Sequence, residues 1–271
     1  MSHGLIKKCS SYILSIIFIM MIALSISKSF LWLKSSNKTN SIMDSITKKE
    51  YKEEVIATNQ ELFNPPNDKN DSYWDYQNIP FLQVDFNELL QDNDDTVGWI
   101  QVIGTNIDYP IVQAKDNEFY LDHSFDKSYN QAGWIFSDFR NNLDNLNHNT
   151  IIYGHARLDN TMFGSLKDIL NDNWFHEKDN HIIKVSTPMH NMIFQIFSVY
   201  VIPKESYYIT SAFHSDTAFL EFLNTITDRS IIDFSTTTNI RDRILTLSTC
   251  KDNLGNRLVL HAKLIKKETR S

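Results

Sequence analysis

The most pronounced pattern in the chain is an apolar run near its start. From Tyr12 to Ser27 the sequence YILSIIFIMMIALSIS carries no charge, and after Lys28 it resumes as Ser29-Phe30-Leu31-Trp32-Leu33. The first stretch alone reaches about 24 Å as a helix, short of a hydrocarbon core of about 30 Å. Extension to Leu33, with Lys28 snorkelling beside Trp32, closes the gap. The pattern predicts a transmembrane anchor over 12–33 and a short cytoplasmic N-terminus over 1–11. A cleaved signal peptide is the rival reading, but bulky Phe30, Leu31 and Trp32 follow the run where a small-residue cleavage site is needed. Lys7 and Lys8 before the run are balanced by Lys28, Lys34 and Lys38 after it, so charge alone does not set the orientation. A single-pass anchor with the large domain outside the cytoplasm is the expectation, resting partly on the motifs below.

Residues 34–80 read as a stalk and linker, partly helical. Ile42, Met43, Ile46 and Val55 give a weak amphipathic stripe, and NPPNDKNDSYWDYQNIP is dense in residues that break regular structure. From 81 to 271 the texture is that of a globular domain. Eight short runs rich in β-branched and aromatic residues predict strands: Trp99–Ile103, Ile107–Val112, Gly133–Phe136, Thr150–Tyr153, His181–Ser186, Met192–Ile202, Arg243–Thr249 and Arg257–Ile265. Pro188–Asn191 predicts a hairpin turn, and Asn253–Asn256 separates the last two strands. Eight strands closing into a barrel leave no exposed edge. Two helices interrupt them: Thr161–Leu170, and Ser215–Thr227 with Ser215 as N-cap and Phe219, Phe222, Leu223 and Ile226 as the buried stripe. The expected fold is mostly β with peripheral helices.

Charge and cysteine content narrow the function. The net charge of −7 argues against nucleic acid as a partner. The only cysteines are Cys9, before the apolar run, and Cys250. A disulfide within the domain and a cysteine-based zinc site are both excluded by that count. The histidines show no HExxH-type spacing, so no metal site is predicted.

Two strand ends carry candidate chemistry. Ile244–Cys250 ends on its thiol before the polar segment KDNLGN, and the next strand opens with Arg257. A thiol at a sheet rim is reachable by substrate. An arginine returning beside it could favour the thiolate, bind a substrate carbonyl and stabilise an oxyanion. From these two residues alone, an inert buried cysteine near a surface arginine is an equally good reading. The strand Thr150–Tyr153 runs through Gly154 into His155, a second rim residue in a matching strand-end setting.

TLSTC followed closely by an arginine-led strand, with YGH ending an upstream strand, resembles the sortase family. IIYGHARLDNTMFGSLKDI and GWIQVIGTNIDYPIVQAKDNEFYLDHSF resemble the corresponding segments of class B sortases, and the helix between the sixth and seventh strands fits the same class. The resemblance covers about residues 81–267. It implies an eight-stranded sortase barrel behind an N-terminal membrane anchor. It also implies Cys250 as nucleophile, His155 as general acid/base and Arg257 as substrate and oxyanion stabiliser. Asn117 and Leu121 match groove-lining positions, Ser248 and Thr249 resemble the nucleophile's groove-facing neighbours, and Tyr153 and Asp252 are accessory candidates. The implied reaction is cleavage of a C-terminal sorting signal of the NPxT kind after its Thr, a thioester on Cys250, and transfer to a peptidoglycan amine. The partners are then secreted proteins bearing that signal, the wall amine, and the membrane through the N-terminal helix. No cofactor is required by this chemistry, and no acidic cluster argues for calcium.

The alternatives are another Cys/His cell-wall peptidase, an L,D-transpeptidase, or an anchored binding module with a structural Cys250. Papain-like amidases place Cys before His and at a helix start, whereas here His155 precedes Cys250 and Cys250 ends a strand. L,D-transpeptidases place an arginine within a few residues of the thiol and lack a TLSTC strand.

Overall fold

The computed structural model describes residues 2–49, 52–56, 61–203, 205–250 and 255–270, with residues 2–11 and Cys250 described by their backbone alone. Helix α1 runs unbroken over Ser2–Thr47. Between Tyr12 and Leu33 every side chain is exposed, and the helix is long and apolar enough to cross a membrane. So continuous an apolar surface is compatible with a membrane anchor. Beyond it the environment changes. Ser35, Ser36, Thr39 and Ile46 are buried, and Ile42 and Met43 pack on the domain core.

Three short strands follow: β1 (Lys52–Val55), β2 (Glu61–Leu62) and β3 (Phe81–Val84). β1 pairs antiparallel with β3, and a 3₁₀ turn at Ser72–Tyr76 lies between them in sequence. The segment predicted as stalk and linker is therefore folded against the domain wherever it is described. The reason lies in side chains that its polar composition masked. Tyr73 and Tyr76 are fully buried beside Phe81, Ile193 and Ile265. Asp71 caps the turn through Tyr73 N–H and accepts hydrogen bonds from Thr236 and Thr237.

After helix α2 (Phe86–Asp92) come β4 (Thr96–Val102), β5 (Asp108–Val112), β6 (Phe136–Ser137) and β7 (Asn149–His155). Helix α3 (Asp172–His176) precedes β8 (Ile182–Ser186) and β9 (His190–Ile202). Helix α4 (Asp216–Asp228) precedes β10 (Ile244–Cys250) and β11 (Arg257–Thr269). β4 to β11 close in the order β4-β5-β6-β7-β10-β11-β9-β8, with β8 pairing back to β4, and β2 adds a short edge to β11. This is the predicted eight-stranded barrel. Two neighbouring pairs, β5–β6 and β7–β10, are parallel and the rest antiparallel.

The barrel interior is filled by strand side chains such as Trp99, Ile111, Ile152, Phe194, Leu247 and Leu260. Outside β9, β10 and β11, α4 lays down Phe219, Phe222, Leu223 and Ile226, each worth about 1.5–3 kcal/mol of burial. Its predicted cap is present, with Ser215 Oγ accepting from Ala218 N–H at 3.1 Å. The predicted helix at Thr161–Leu170 is a 3₁₀ segment over Gly164–Leu170. Phe163, Leu166 and Ile169 are all buried. Their spacing of three residues is the 3₁₀ period, which eclipses every third side chain.

Between the barrel and α4 lies a buried polar chain centred on His261. Thr246 Oγ1 donates to Asn149 Oδ1 at 2.6 Å, so it accepts from His261 Nδ1 at 2.8 Å. His261 Nε2 is then the acceptor for Tyr200 OH at 2.8 Å, and that hydroxyl accepts from Tyr207 at 3.0 Å. A neutral ring satisfies every partner, and full burial lowers its pKa to about 3. The folded state thus refuses a proton that the unfolded chain accepts below about 6.5, so stability falls as pH drops through that window, by up to about 1.4 kcal/mol per unit. We expect His261→Gln to flatten the slope of unfolding free energy against pH between 6.5 and 4. Denaturant titrations giving the same slope in both proteins would count against the assignment.

Candidate active site

Three strand ends meet on one rim of the barrel. β7 and β10 are parallel and in register, with Ser248 beside Tyr153, Thr249 beside Gly154 and Cys250 beside His155. Paired positions on neighbouring strands share a face of the sheet and lie about 4.8 Å apart. On the other flank β10 runs antiparallel to β11, and Ser248 pairs with Val259. Two residues onward along β10 and two back along β11 are Cys250 and Arg257, so the same register brings them level. At the intervening step Thr249 Oγ1 accepts from Leu258 N–H at 2.9 Å, which ties the two strands up to the rim. Arg257 is also held from its far side, pairing with Ile202 of β9.

His155 is half-buried, and its Nε2 lies 2.7 Å from the carbonyl oxygen of Leu121. A carbonyl only accepts, so Nε2 carries the proton and Nδ1 holds the lone pair of the neutral ring. Burial and the Arg157 charge hold the imidazole below its ordinary pKa, outweighing the opposing pull of the Leu121 carbonyl and Asp122. At neutral pH His155 is therefore uncharged. Two glycines make room for it. Gly154 lies flat against the Phe163 ring, where a Cβ would come within 2.7 Å of ring carbon. Gly133 has φ +60, and a Cβ there would meet the Tyr120 carbonyl at 2.6 Å and His155 Cδ2 at 2.9 Å. Gly133→Ala should cost about 1–2 kcal/mol in stability from the left-handed backbone, and should lower kcat/KM at least tenfold by displacing the ring. Wild-type activity in that variant would detach Gly133 from the site.

Arg257 Nη1 donates to Tyr208 OH at 2.9 Å, and that hydroxyl shares a hydrogen bond of 3.1 Å with Ser248 Oγ. Arg257 Nε is buried with no hydrogen-bond partner among the described residues. A buried donor left unpaired is costly, and a ligand oxygen would relieve it.

The remaining predicted residues sort into two further groups. Asn117 Nδ2 and Tyr153 OH both donate to Asp138 Oδ2, at 2.9 and 3.0 Å, beneath the rim. Burial opposes ionisation of Asp138, but the Arg140 guanidinium and backbone N–H and the Tyr153 hydroxyl outweigh it and keep its pKa below the usual carboxylate value. Leu121 meets His155 through its backbone, as described. Ser248 and Thr249 are buried, their hydroxyls committed to Tyr208 and to Leu258. Asp252 lies outside the described residues. Among the described residues, no group of His, Cys, Asp and Glu could hold a metal ion.

The sortase domain family matches residues 100–265, more than half of the chain. The chain belongs to the sortase family. Sortase B of Staphylococcus aureus is 41% identical over 188 residues, covering 68% of this chain and 76% of that protein. Sortase B of Listeria monocytogenes is 37% identical over 189 residues, covering 69% and 76%. Among solved structures, a Staphylococcus aureus sortase B–substrate complex superposes with a TM-score of 0.62 at 39% identity, over 67% of this chain and 84% of that one. A sortase B complexed with triglycine gives 0.63 at 40%, over 67% and 85%. This sortase is thus of class B and a cysteine transpeptidase, which sets aside the anchored binding module and the other Cys/His enzymes.

Three contributors to the site escaped the sequence reading. Tyr208 sits in a single 3₁₀ turn, Tyr207–Ile209, where nothing but an adjacent tyrosine marks it in the sequence. The Leu121 carbonyl carries no side-chain signature. Asp138 lies between Ser137 and Phe139, and only its burial reveals it as the point where Asn117 and Tyr153 converge.

Proposed function

We propose that Cys250 is the nucleophile of this sortase, His155 its general acid/base and Arg257 the group that binds the substrate carbonyl and the oxyanion. The observation that carries the reading is the register, which brings the ends of β7 and β10 and the start of β11 to one level of one rim. The Cys250 sulfur attacks the carbonyl carbon of Thr in a C-terminal sorting signal of the NPxT kind. The peptide C–N bond breaks, the departing amine takes a proton from His155, and a thioester remains on Cys250. A peptidoglycan amine then attacks the thioester, gives its proton to His155 and expels the Cys250 thiolate, restoring the thiolate–imidazolium form that began the cycle. The unpaired Nε of Arg257 supports its role, since a carbonyl or oxyanion would fill it. The triglycine complex of a related sortase B supports a short peptide amine as acceptor.

An unperturbed thiol is only about three per cent thiolate at pH 7. With His155 held below its ordinary pKa by burial, the imidazolium that would accompany the thiolate is disfavoured, and the reaction draws on that ion-pair form. We assign residues 12–33 to a single membrane pass, 34–80 to the segment that joins it to the barrel, and 81–271 to an extracytoplasmic catalytic domain. The test is product analysis. Incubated with NPxT-type peptides, the protein should release a fragment ending in Thr, and added triglycine should divert that fragment into a ligated product. Cleavage of muropeptides with no action on such peptides would replace this reading with a wall hydrolase.

A further inference from the structure

Helix α1 does not merely tether the barrel. Its apolar surface ends at Leu33, and Ser35 and Ser36, just beyond exposed Lys34, already touch the domain. Ser35 Oγ donates to Asn130 Oδ1 at 2.7 Å, and Asn130 Nδ2 reaches Thr39 Oγ1 at 3.1 Å. Ser36 donates to Asp159 and accepts from Arg157 Nη2 at 2.7 Å, while Arg157 lies under the Trp32 ring at 5.4 Å. Arg157 is two residues past His155, in the loop that leaves the rim. The helix then runs down the side of the barrel, and Lys49 pairs with Asp92 at 2.7 Å beside the start of β4. The hairpin carrying Met189, which joins β8 to β9, is at the end remote from Arg257, since His190 pairs with Thr269 while Ile202 pairs with Arg257.

Ser35 and Ser36 lie about 3–5 Å along the helix beyond Leu33. The headgroup layer is about 5–7 Å thick on each side of the hydrocarbon core. The loop that these serines grip is therefore at headgroup depth, and it is the loop next to His155. Flanking the grip are two apolar side chains with no protein to cover them, Leu158 at 77% exposure and Tyr129 at 61%. Lys34 is exposed at the same level, and Lys38 Nζ bonds to the Tyr129 carbonyl at 2.9 Å. Tyrosine and lysine are side chains suited to the membrane interface.

We propose that the rim bearing His155, Cys250 and Arg257 rests on the bilayer surface, with Leu158 and Tyr129 in contact with lipid headgroups, so that the enzyme acts on chains presented at the membrane plane. The occupant of this surface is the bilayer itself, fixed there by the unbroken helix that leaves it. The proposal rests on α1 being the anchor, and the test separates the two. In full-length protein carrying Cys9→Ser and Cys250→Ala, single reporter cysteines replace Ile19, Leu158 or Met189, which are 63%, 77% and 52% exposed. Each is labelled with an environment-sensitive dye and reconstituted into phosphatidylcholine–phosphatidylglycerol vesicles. Nitroxide on the acyl chain should quench the dye at Ile19. Nitroxide on the headgroup should quench the dye at Leu158 at least twofold more than at Met189, and Tyr129→Cys should repeat the Leu158 result. Quenching at Ile19 with equal signals at Leu158 and Met189 overturns the proposal and leaves the anchor standing. No quenching at Ile19 removes the anchor and the proposal together.

Discussion

Cys250→Ala should reduce peptide cleavage and ligation to the uncatalysed background while leaving the fold intact. The expected loss is the whole rate enhancement, because the variant has no atom on which an acyl group can rest between the two amines. Stability should change little. Alanine keeps the backbone that pairs with His155, and the strand end is held by Thr249 and Leu258 rather than by the thiol. Thermal denaturation within a few degrees of wild type, with no detectable product, is the expected pair of observations. Residual turnover above a few per cent would move the nucleophile elsewhere. Cys9 is the sole other thiol, and it belongs to the helix that precedes the domain.

Arg257→Ala and His155→Ala should each lower kcat/KM by at least two orders of magnitude, the usual scale for deleting an oxyanion donor or a general acid. The two losses should differ in character. Arg257 is held by a hydrogen bond from Nη1 to Tyr208 and keeps a buried Nε with no partner among the described residues. Its removal strips a charge and a forked donor set. Lysine at 257 should restore only a small part of the rate, since it cannot donate to Tyr208 and to a substrate oxygen in one plane. Tyr208→Phe should produce a smaller loss that disappears in the Arg257→Ala background, because its effect passes through the guanidinium. For His155 the signature is pH. Burial holds the imidazole below its ordinary pKa, so the acid limb of the kcat/KM profile should fall below about 6.5. The limb should vanish with the imidazole. An Arg257→Ala variant with near-normal kcat, or a His155→Ala variant with an unshifted acid limb, would remove that residue from its role.

Much of the architecture could be read from the pattern of apolar positions, because a closed barrel writes itself into sequence as short apolar strands between turns. Seven of the eight predicted runs became barrel strands and the eighth, Gly133–Phe136, meets β6 only at Phe136, while the Ser215 cap and its apolar stripe lie where spacing put them. The rim residues stood out because each sits at a strand end, where a polar or reactive side chain has no packing duty. What escaped was structure made by isolated aromatics in polar surroundings. Tyr73 and Tyr76 anchor a segment whose Asn, Asp and Pro content reads as linker, and two buried rings outweigh that composition. The shape of the groove escaped for a different reason. Motif position points to Asn117, Tyr153 and Ser248, yet their side chains spend their hydrogen bonds on Asp138 and Tyr208. Motif position gives the neighbourhood of a residue, while the direction of its hydrogen bonds depends on partners distant in sequence.

The docking of α1 was equally invisible. Ser35, Ser36 and Thr39 look like the polar residues that close a membrane span, and their partners Asn130, Arg157 and Asp159 lie roughly a hundred residues away in sequence. Small hydroxyl side chains allow the helix to approach closely, and a buried arginine gives it a polar seat. A soluble fragment that begins after the helix would expose Arg157 and Asn130 to water.

The most direct measurement is the intact mass of the protein, followed by peptide mapping, after brief exposure to an NPxT-type peptide and rapid acid quenching. The account predicts a mass increase equal to the acyl fragment ending in Thr, located on Cys250 and lost on addition of hydroxylamine or triglycine. Cleaved peptide with no such adduct, or an adduct on any other residue, would contradict it.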